Sequence, residues 1–201
     1  MELLGPISED EVIAVFLQGE LESERFGGAI RALLARDGLQ DAVVRRPDLM
    51  DAAENTARRR LLDEHRAYER RQGLFGGFPR DVCWHRAALG PDEVLEILFI
   101  DWDWWLELSG GSRRPRDAAE RIRAGVARGA DVAGHEPIAA ALRRTPPPPE
   151  LIALTTPDLR PLVLVEGHVR LTSYAIFPEC LPRRLEILLG VSSQAACWSL
   201  F

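Results

Sequence analysis

Apolar residues recur at helical spacing near the start of the chain. An apolar stripe within residues 12–17 follows Ser8, and Glu11 stands three positions after that serine, which is the arrangement of a capping box. This pattern predicts a first helix. A second helix is predicted over residues 23–36, ending at Asp37-Gly38.

A third helical pattern begins near Pro47 and continues to about Arg71. Apolar side chains lie near one face of this helix, and several arginines lie on another. Glycines and a proline then interrupt the pattern over residues 73–80. We therefore predict a helical N-terminal region over residues 1–75 and a second domain over residues 76–201.

The second region mixes strand and helix patterns. Residues 93–105 are rich in β-branched and aromatic side chains, and their alternation predicts a strand, although a helix can also use some of these residues. On such a strand Ile97, Phe99, Asp101 and Asp103 share one side. The two aspartates would then hold Mg²⁺ or act as a base, unless they only face solvent.

The rest of this region predicts one more helix and several short strands. The helix runs from Asp117 to about Arg128, and the proline-rich stretch from Thr145 to Glu150 is predicted to be a stiff connector. Strands are predicted at residues 151–154, 162–165 and 185–189. The combination predicts an α+β fold, with a small mixed sheet and helices after a helical front.

Charge limits the possible partners. The net charge is −6 and the pI is about 5.3, which is the wrong sign for a protein that neutralises the phosphates of a duplex. Nucleic-acid binding is therefore disfavoured. All 25 basic residues are arginines, so any protein cation at a phosphate is a guanidinium, and lysine chemistry is excluded.

Two further absences bear on location and cofactors. The sequence contains no secretory signal and no apolar run long enough to cross a membrane, so we expect a cytoplasmic protein. The cysteines are three in number and widely separated, so they form neither a disulfide framework nor a zinc site of ordinary spacing.

The segment over residues 161–177 carries the clearest chemical pattern. A continuous apolar run predicts a buried strand, Gly167 follows it almost at once, and a helix then begins. Free N–H groups at a helix start attract anions, and Arg170 would add a charged fork. Glu166 and His168 flank the glycine and are able to transfer protons or bind metal. Alternatively, Glu166 caps the helix, Arg170 forms an ion pair and His168 is a polar surface residue.

The stretch EGHVRLTSY, residues 166–174, resembles the corresponding turn of the ParB/sulfiredoxin-like fold superfamily. It is most similar to the free-serine-kinase branch, where the turn reads like DGHHR. The resemblance implies that Gly167, His168 and Arg170 hold nucleotide phosphates, with Thr172 as an additional hydroxyl. It also implies ATP or ADP (or CTP) as the nucleotide, together with Mg²⁺. His168 stands where sulfiredoxins have their catalytic cysteine, so sulfinic-acid reduction is disfavoured.

The resemblance extends as a pattern over about residues 80–190. It covers the predicted helix at 117–125 and the predicted strands at 151–154 and 185–189. The chain departs from the family where Val169 replaces the second histidine and where residues 129–149 form a longer connection. The helical front also lies outside the shared fold. These departures concern the substrate and the reaction more than the fold.

Two other features suggest ligand binding. A second anion loop is predicted where glycines expose N–H groups beside hydroxyls and a guanidinium. Its residues are Ser109, Gly110, Gly111, Ser112 and Arg113. The alternative is a solvated turn. The indoles of Trp102, Trp104 and Trp105 offer flat surfaces for a nucleotide base, although core packing also accounts for them.

We predict a nucleotide-dependent phosphotransferase that acts on the hydroxyl of an amino acid or metabolite. Glu166, Asp101 or Asp103 would orient or deprotonate that hydroxyl, and His168 is a further candidate for proton transfer. One alternative is a nucleotide-binding regulatory or partner-binding module without metabolic catalysis. Another is a DNA-binding protein or nuclease, which the acidic charge disfavours.

Overall fold

The structure is a computed structural model that describes residues 1–144 and 150–201. The predicted connector over residues 145–150 falls mostly on 145–149, which lie outside the described residues. The chain forms two compact units. The helical unit comprises residues 7–78, and the sheet unit comprises residues 1–6 together with 79–201.

The helical unit contains the three helices that the sequence predicts and one short helix. These are α1 (Glu9–Glu22), α2 (Gly27–Arg36), α3 (Ala42–Arg45) and α4 (Ala52–Arg66). Ser8 caps α1, because its hydroxyl accepts a hydrogen bond from the Glu11 amide at 3.1 Å. The start of α4 is set by Asp51, whose carboxylate accepts from the Ala53 amide at 2.8 Å. The third helix therefore begins later than the sequence pattern suggests.

The sheet unit contains a mixed sheet of five strands within the described ranges. They are β1 (Glu2–Pro6), β2 (Cys83–Leu89), β3 (Leu151–Thr155), β4 (Val163–Glu166) and β5 (Leu185–Val191). The strand order is β1-β2-β5-β3-β4. β3 and β5 are parallel, and the other neighbouring pairs are antiparallel. The predicted strands at 151–154, 162–165 and 185–189 are confirmed, whereas β1 and β2 were not predicted.

Five helices complete the sheet unit as described. They are α5 (Pro91–Val94), α6 (Asp103–Ser109), α7 (Pro115–Arg123), α8 (Val132–Leu142) and α9 (His168–Ile176). Side chains of α7 and α9 join β3, β4 and β5 in one hydrophobic core, so these two helices cover one face of the sheet. The protein is therefore an α+β protein. Within the parts that the structure describes, no helix is both long enough and apolar enough to span a membrane.

The predicted strand over residues 93–105 is wrong. Its first residues belong to α5, its last ones to α6, and only Leu98 pairs with the sheet, through a single bridge to Val163. Asp103 lies in the first turn of α6, where the helix dipole favours a carboxylate. Trp105 and Leu108, one helical turn apart, pack on the core. An apolar and aromatic run of this kind is compatible with a buried helix as well as with a strand, so the pattern did not distinguish the two.

Candidate functional site

The turn between β4 and α9 strongly favours glycine. Gly167 has a φ of 100°, which is strained for any residue with a side chain. A Cβ atom at this position would lie 2.4 Å from Cδ2 of Leu151. The predicted strand, tight turn and helix are all present. Gly167 is therefore needed both for its backbone conformation and for the close approach of β3.

The first turn of α9 has uncapped amide groups. The first backbone hydrogen bond of the helix is donated by Leu171 to the Gly167 carbonyl, at 2.8 Å. The N–H groups of His168, Val169 and Arg170 precede that bond, and no side chain of residues 1–144 or 150–201 caps the helix. Such a set of N–H groups favours an anion in front of the helix.

The guanidinium of Arg170 lies beside this turn and is shared with a carboxylate. Its Nη2 atom is 3.2 Å from Oε1 of Glu166, and both side chains are mostly buried. The same nitrogen lies 3.1 Å from where a Cβ of Gly167 would be, so the charge is close to the turn. The Arg170 Nε is buried without a hydrogen-bond partner in the described chain. The ion pair foreseen as an alternative is thus present, and the anion role of Arg170 stays a prediction.

His168 is buried, so its interpretation as a polar surface residue is wrong. Its ring stacks on Trp105, with ring centroids 4.8 Å apart, and lies 6.1 Å from the ring of Phe99. Burial, assisted by the positive charge of Arg170, lowers the pKa of His168 to about 3. Its Nε2 atom has no hydrogen-bond partner among the described residues. The imidazole is therefore neutral at physiological pH, and its proposed part in proton transfer stays a prediction.

The hydroxyl of Thr172 is also buried. Its Oγ1 donates to the His168 carbonyl at 2.8 Å, so its proton is used within α9. The oxygen can still accept a hydrogen bond, but an unprotonated phosphate has no hydrogen to donate to it. The hydroxyl is therefore poorly arranged to donate to a phosphate in this conformation.

The predicted loop after α6 is held by its own hydrogen bonds. Ser109 donates to the Trp105 carbonyl at 2.7 Å and accepts from the Arg113 amide at 2.9 Å. The Arg113 guanidinium donates to three backbone carbonyls, at 2.8–3.2 Å. These belong to Phe99, Leu200 and Phe201. Arg113 therefore ties the last residues of the chain to the segment before α6, and its role as a phosphate clamp stays a prediction.

Gly110 of this loop lies close to a different arginine, Arg121. Gly110 and Gly111 have positive φ values of 66° and 90°, and Ser112 donates to the Ser109 carbonyl at 3.1 Å. Side-chain atoms of Arg121, on α7, lie 3.4–3.7 Å from where a Cβ of Gly110 would be. Arg121 was not predicted to lie at this loop, although its position in the helix after a glycine loop was a usable signal.

The two aspartates do not share a strand side, because the strand is absent. Asp101 lies in a bend and donates its backbone amide to the Leu200 carbonyl at 2.9 Å, whereas Asp103 begins α6. In the part of the chain that the structure describes, no three or more metal-ligating side chains come together. Trp102 and Trp104 are 49% and 41% exposed, so core packing does not account for these two indoles.

A pocket of about 270 Å³ lies against α9. Val169 and Thr172, three residues apart on α9, form one side of it. The pocket is also lined by Trp104, Trp105, Asp131 and His135. Residues 129–149 were predicted to be a long connection, so α8, which places His135 here, was not predicted. Asp131 was an available signal, since its carboxylate caps α8 by accepting from the Gly134 amide at 2.7 Å.

Comparison with known proteins found no relative of this chain. No family model matches the chain, and no curated protein or solved structure resembles it at a significant level. The features that remain are uncapped amides beside a guanidinium and a carboxylate, with a pocket along the same helix.

Proposed function

We propose that the sheet unit binds a nucleotide, with a phosphate group at the start of α9. The supporting observation is the set of uncapped N–H groups of His168, Val169 and Arg170 beside the Arg170 guanidinium. The turn before them favours glycine, because its φ is 100° and a Cβ there would lie 2.4 Å from Cδ2 of Leu151. A phosphate oxygen is a strong acceptor for such amides and for a guanidinium.

The residues at the turn also fit a magnesium ion that accompanies the phosphates. Mg²⁺ is commonly held by one or two carboxylates together with substrate phosphates, and Glu166 supplies a carboxylate at the turn. When bound, the ion would neutralise phosphate charge. It would also relieve the repulsion between Glu166 and the phosphate.

The direct test is equilibrium binding of ATP, ADP and CTP, each with and without Mg²⁺. We expect Arg170→Gln to weaken binding about tenfold or more, because a charge-assisted hydrogen bond is worth about 1.5–3 kcal/mol. Arg143→Gln is the matched control, since Arg143 also pairs with a glutamate, Glu179, at 2.9 Å on the surface of the same unit. Equal affinities for the two variants, or no binding of any nucleotide, would refute the proposal.

Phosphoryl transfer to a small-molecule hydroxyl is the second candidate. One observation favours it over binding alone: the Glu166 carboxylate lies at the turn, beside the place proposed for the phosphate. Glu166 would orient the acceptor hydroxyl or take its proton. The test is formation of ADP from ATP and Mg²⁺ with a panel of amino acids and alcohols. Production of ADP that is lost in Glu166→Gln supports transfer. Nucleotide binding without turnover supports a regulatory module.

A further inference from the structure

The imidazole of His135 is fixed in one orientation by α9. Its Nδ1 atom is 2.8 Å from the Ser173 hydroxyl, and that hydroxyl lies 2.9 Å from the Val169 carbonyl. A carbonyl only accepts hydrogen bonds, so the serine donates to it and then accepts from N–H at Nδ1 of His135. This relay leaves Nε2 of a neutral His135 as a bare acceptor.

The imidazole faces the pocket as a neutral ring. His135 lines the pocket and is only 8% exposed, and burial lowers its pKa against the opposing effect of Asp131. Within residues 1–144 and 150–201, no donor is bonded to Nε2. A ligand in the pocket therefore meets a lone pair that is already aligned by the contact with Ser173.

The remaining pocket residues favour positive charge. Asp131 supplies a carboxylate, one of whose oxygens caps α8 through the Gly134 amide. Trp104 and Trp105 supply the aromatic rings, which attract cations over their faces. No arginine is among the lining residues that the structure describes, so a carboxylate or phosphate on the ligand would find no described cationic partner there.

We propose that this pocket binds a small organic amine: a protonated ammonium group on a flat, apolar body, without a carboxylate. The ammonium donates to Nε2 of His135 and lies near Asp131, while the apolar body contacts Trp104 and Trp105. A pocket of about 270 Å³ has room for such a molecule. This site goes beyond nucleotide binding and does not depend on it.

Three probes with the same aromatic body separate the contributions. They are 2-phenylethylamine, 2-phenylethanol, which lacks the ammonium, and phenylalanine, which adds a carboxylate. We expect 2-phenylethylamine to bind at least fivefold more tightly than either of the others, because only this probe has an ammonium group that donates to Nε2 of His135 and no carboxylate that Asp131 would repel. Binding of the alcohol or of phenylalanine with the same affinity would overturn the proposal, as would no binding of the amine at millimolar concentration.

The decisive variant is Asp131→Asn. Asparagine caps a helix about as well as aspartate, so α8 should remain folded while the charge is lost. We expect amine affinity to fall about fivefold in this variant and to stay unchanged in Asp117→Asn, a matched change in the first turn of α7. Unchanged affinity in Asp131→Asn would overturn the proposal.

The imidazole gives a second readout that no loss of folding can imitate. Nitrogen NMR of the free protein should find the proton of His135 on Nδ1, and 2-phenylethylamine should shift the Nε2 resonance. A proton on Nε2 in the free protein would refute the relay. Arg170→Gln should leave amine binding intact, and Asp131→Asn should leave nucleotide binding intact, so either proposal can fail without the other.

Discussion

Mild acid should destabilise the sheet unit through His168. The neutral ring is buried against Trp105 and near Phe99, where its pKa is lowered to about 3, whereas an unfolded histidine has a pKa of about 6.5. Between these values the unfolded chain binds a proton that the folded chain does not. The contribution of His168 to stability is therefore complete above pH 6.5 and is lost as the pH falls toward 3.

The size of the effect follows from the gap between the two pKa values. At pH 5 the unfolded histidine is about 1.5 pH units below its pKa, while the folded one is still neutral. Each unit is worth about 1.4 kcal/mol, so acidification from pH 7 to pH 5 should cost about 2 kcal/mol through this residue. Burial lowers the pKa of His135 as well, so acidification should also reduce the stability of the folded state through that residue.

Urea unfolding followed by tryptophan fluorescence measures this loss of stability in the sheet unit, which contains His168. All five tryptophans, at positions 84, 102, 104, 105 and 198, belong to the sheet unit, so the helical unit does not contribute to the signal. His168→Phe keeps an aromatic ring in the stack and removes the titrating group. We expect its stability loss between pH 7 and pH 5 to be about 2 kcal/mol smaller than that of the wild type. The same loss in both proteins would refute the reasoning.

The same unfolding assay at pH 7 tests three further variants. Gly167→Ala should lower the free energy of unfolding by about 3 kcal/mol, because alanine is strained at this φ and its Cβ would lie 2.4 Å from Leu151. A loss under about 1 kcal/mol would mean that the turn relaxes freely. Arg113→Ala should lower the free energy of unfolding by about 2 kcal/mol, since two backbone oxygens lose the guanidinium donor, whereas the Leu200 carbonyl keeps the Asp101 amide. A neutral result would show that water replaces the guanidinium. Asp131→Ala should cost about 1 kcal/mol through loss of the α8 cap, whereas Asp131→Asn should cost little; equal losses would contradict the capping role.

The β4–α9 segment was predictable because its signals are local and agree with one another. An apolar run that is buried on both sides, a glycine and then a helix-compatible stretch lead to one structure. The sequence also placed Arg170 and Glu166 at the turn. It did not predict that His168 would be enclosed, because the rings of Phe99 and Trp105 come from a distant part of the chain.

The elements that were missed depend on long-range partners or on ambiguous local patterns. Strand β1 is short and mostly exposed, and it exists because it pairs with β2, more than 75 residues away. Helix α8 contains Pro137, which by local rules ends a helix. In the folded chain α8 packs on α9 and supplies Ala139 and Leu142 to a small core beside Tyr174. The pocket residues on α8 could not be placed without that contact.

The pairing of β1 with β2 has a topological consequence. Pro6 and His85 are register partners in adjacent strands, so the chain leaves the sheet and returns to it side by side. Residues 7–78 are thus an insertion between two paired strands, the arrangement in which a loop can be exchanged for a whole domain. Evolution can then lengthen, replace or delete the helical unit without reordering a single strand of the sheet.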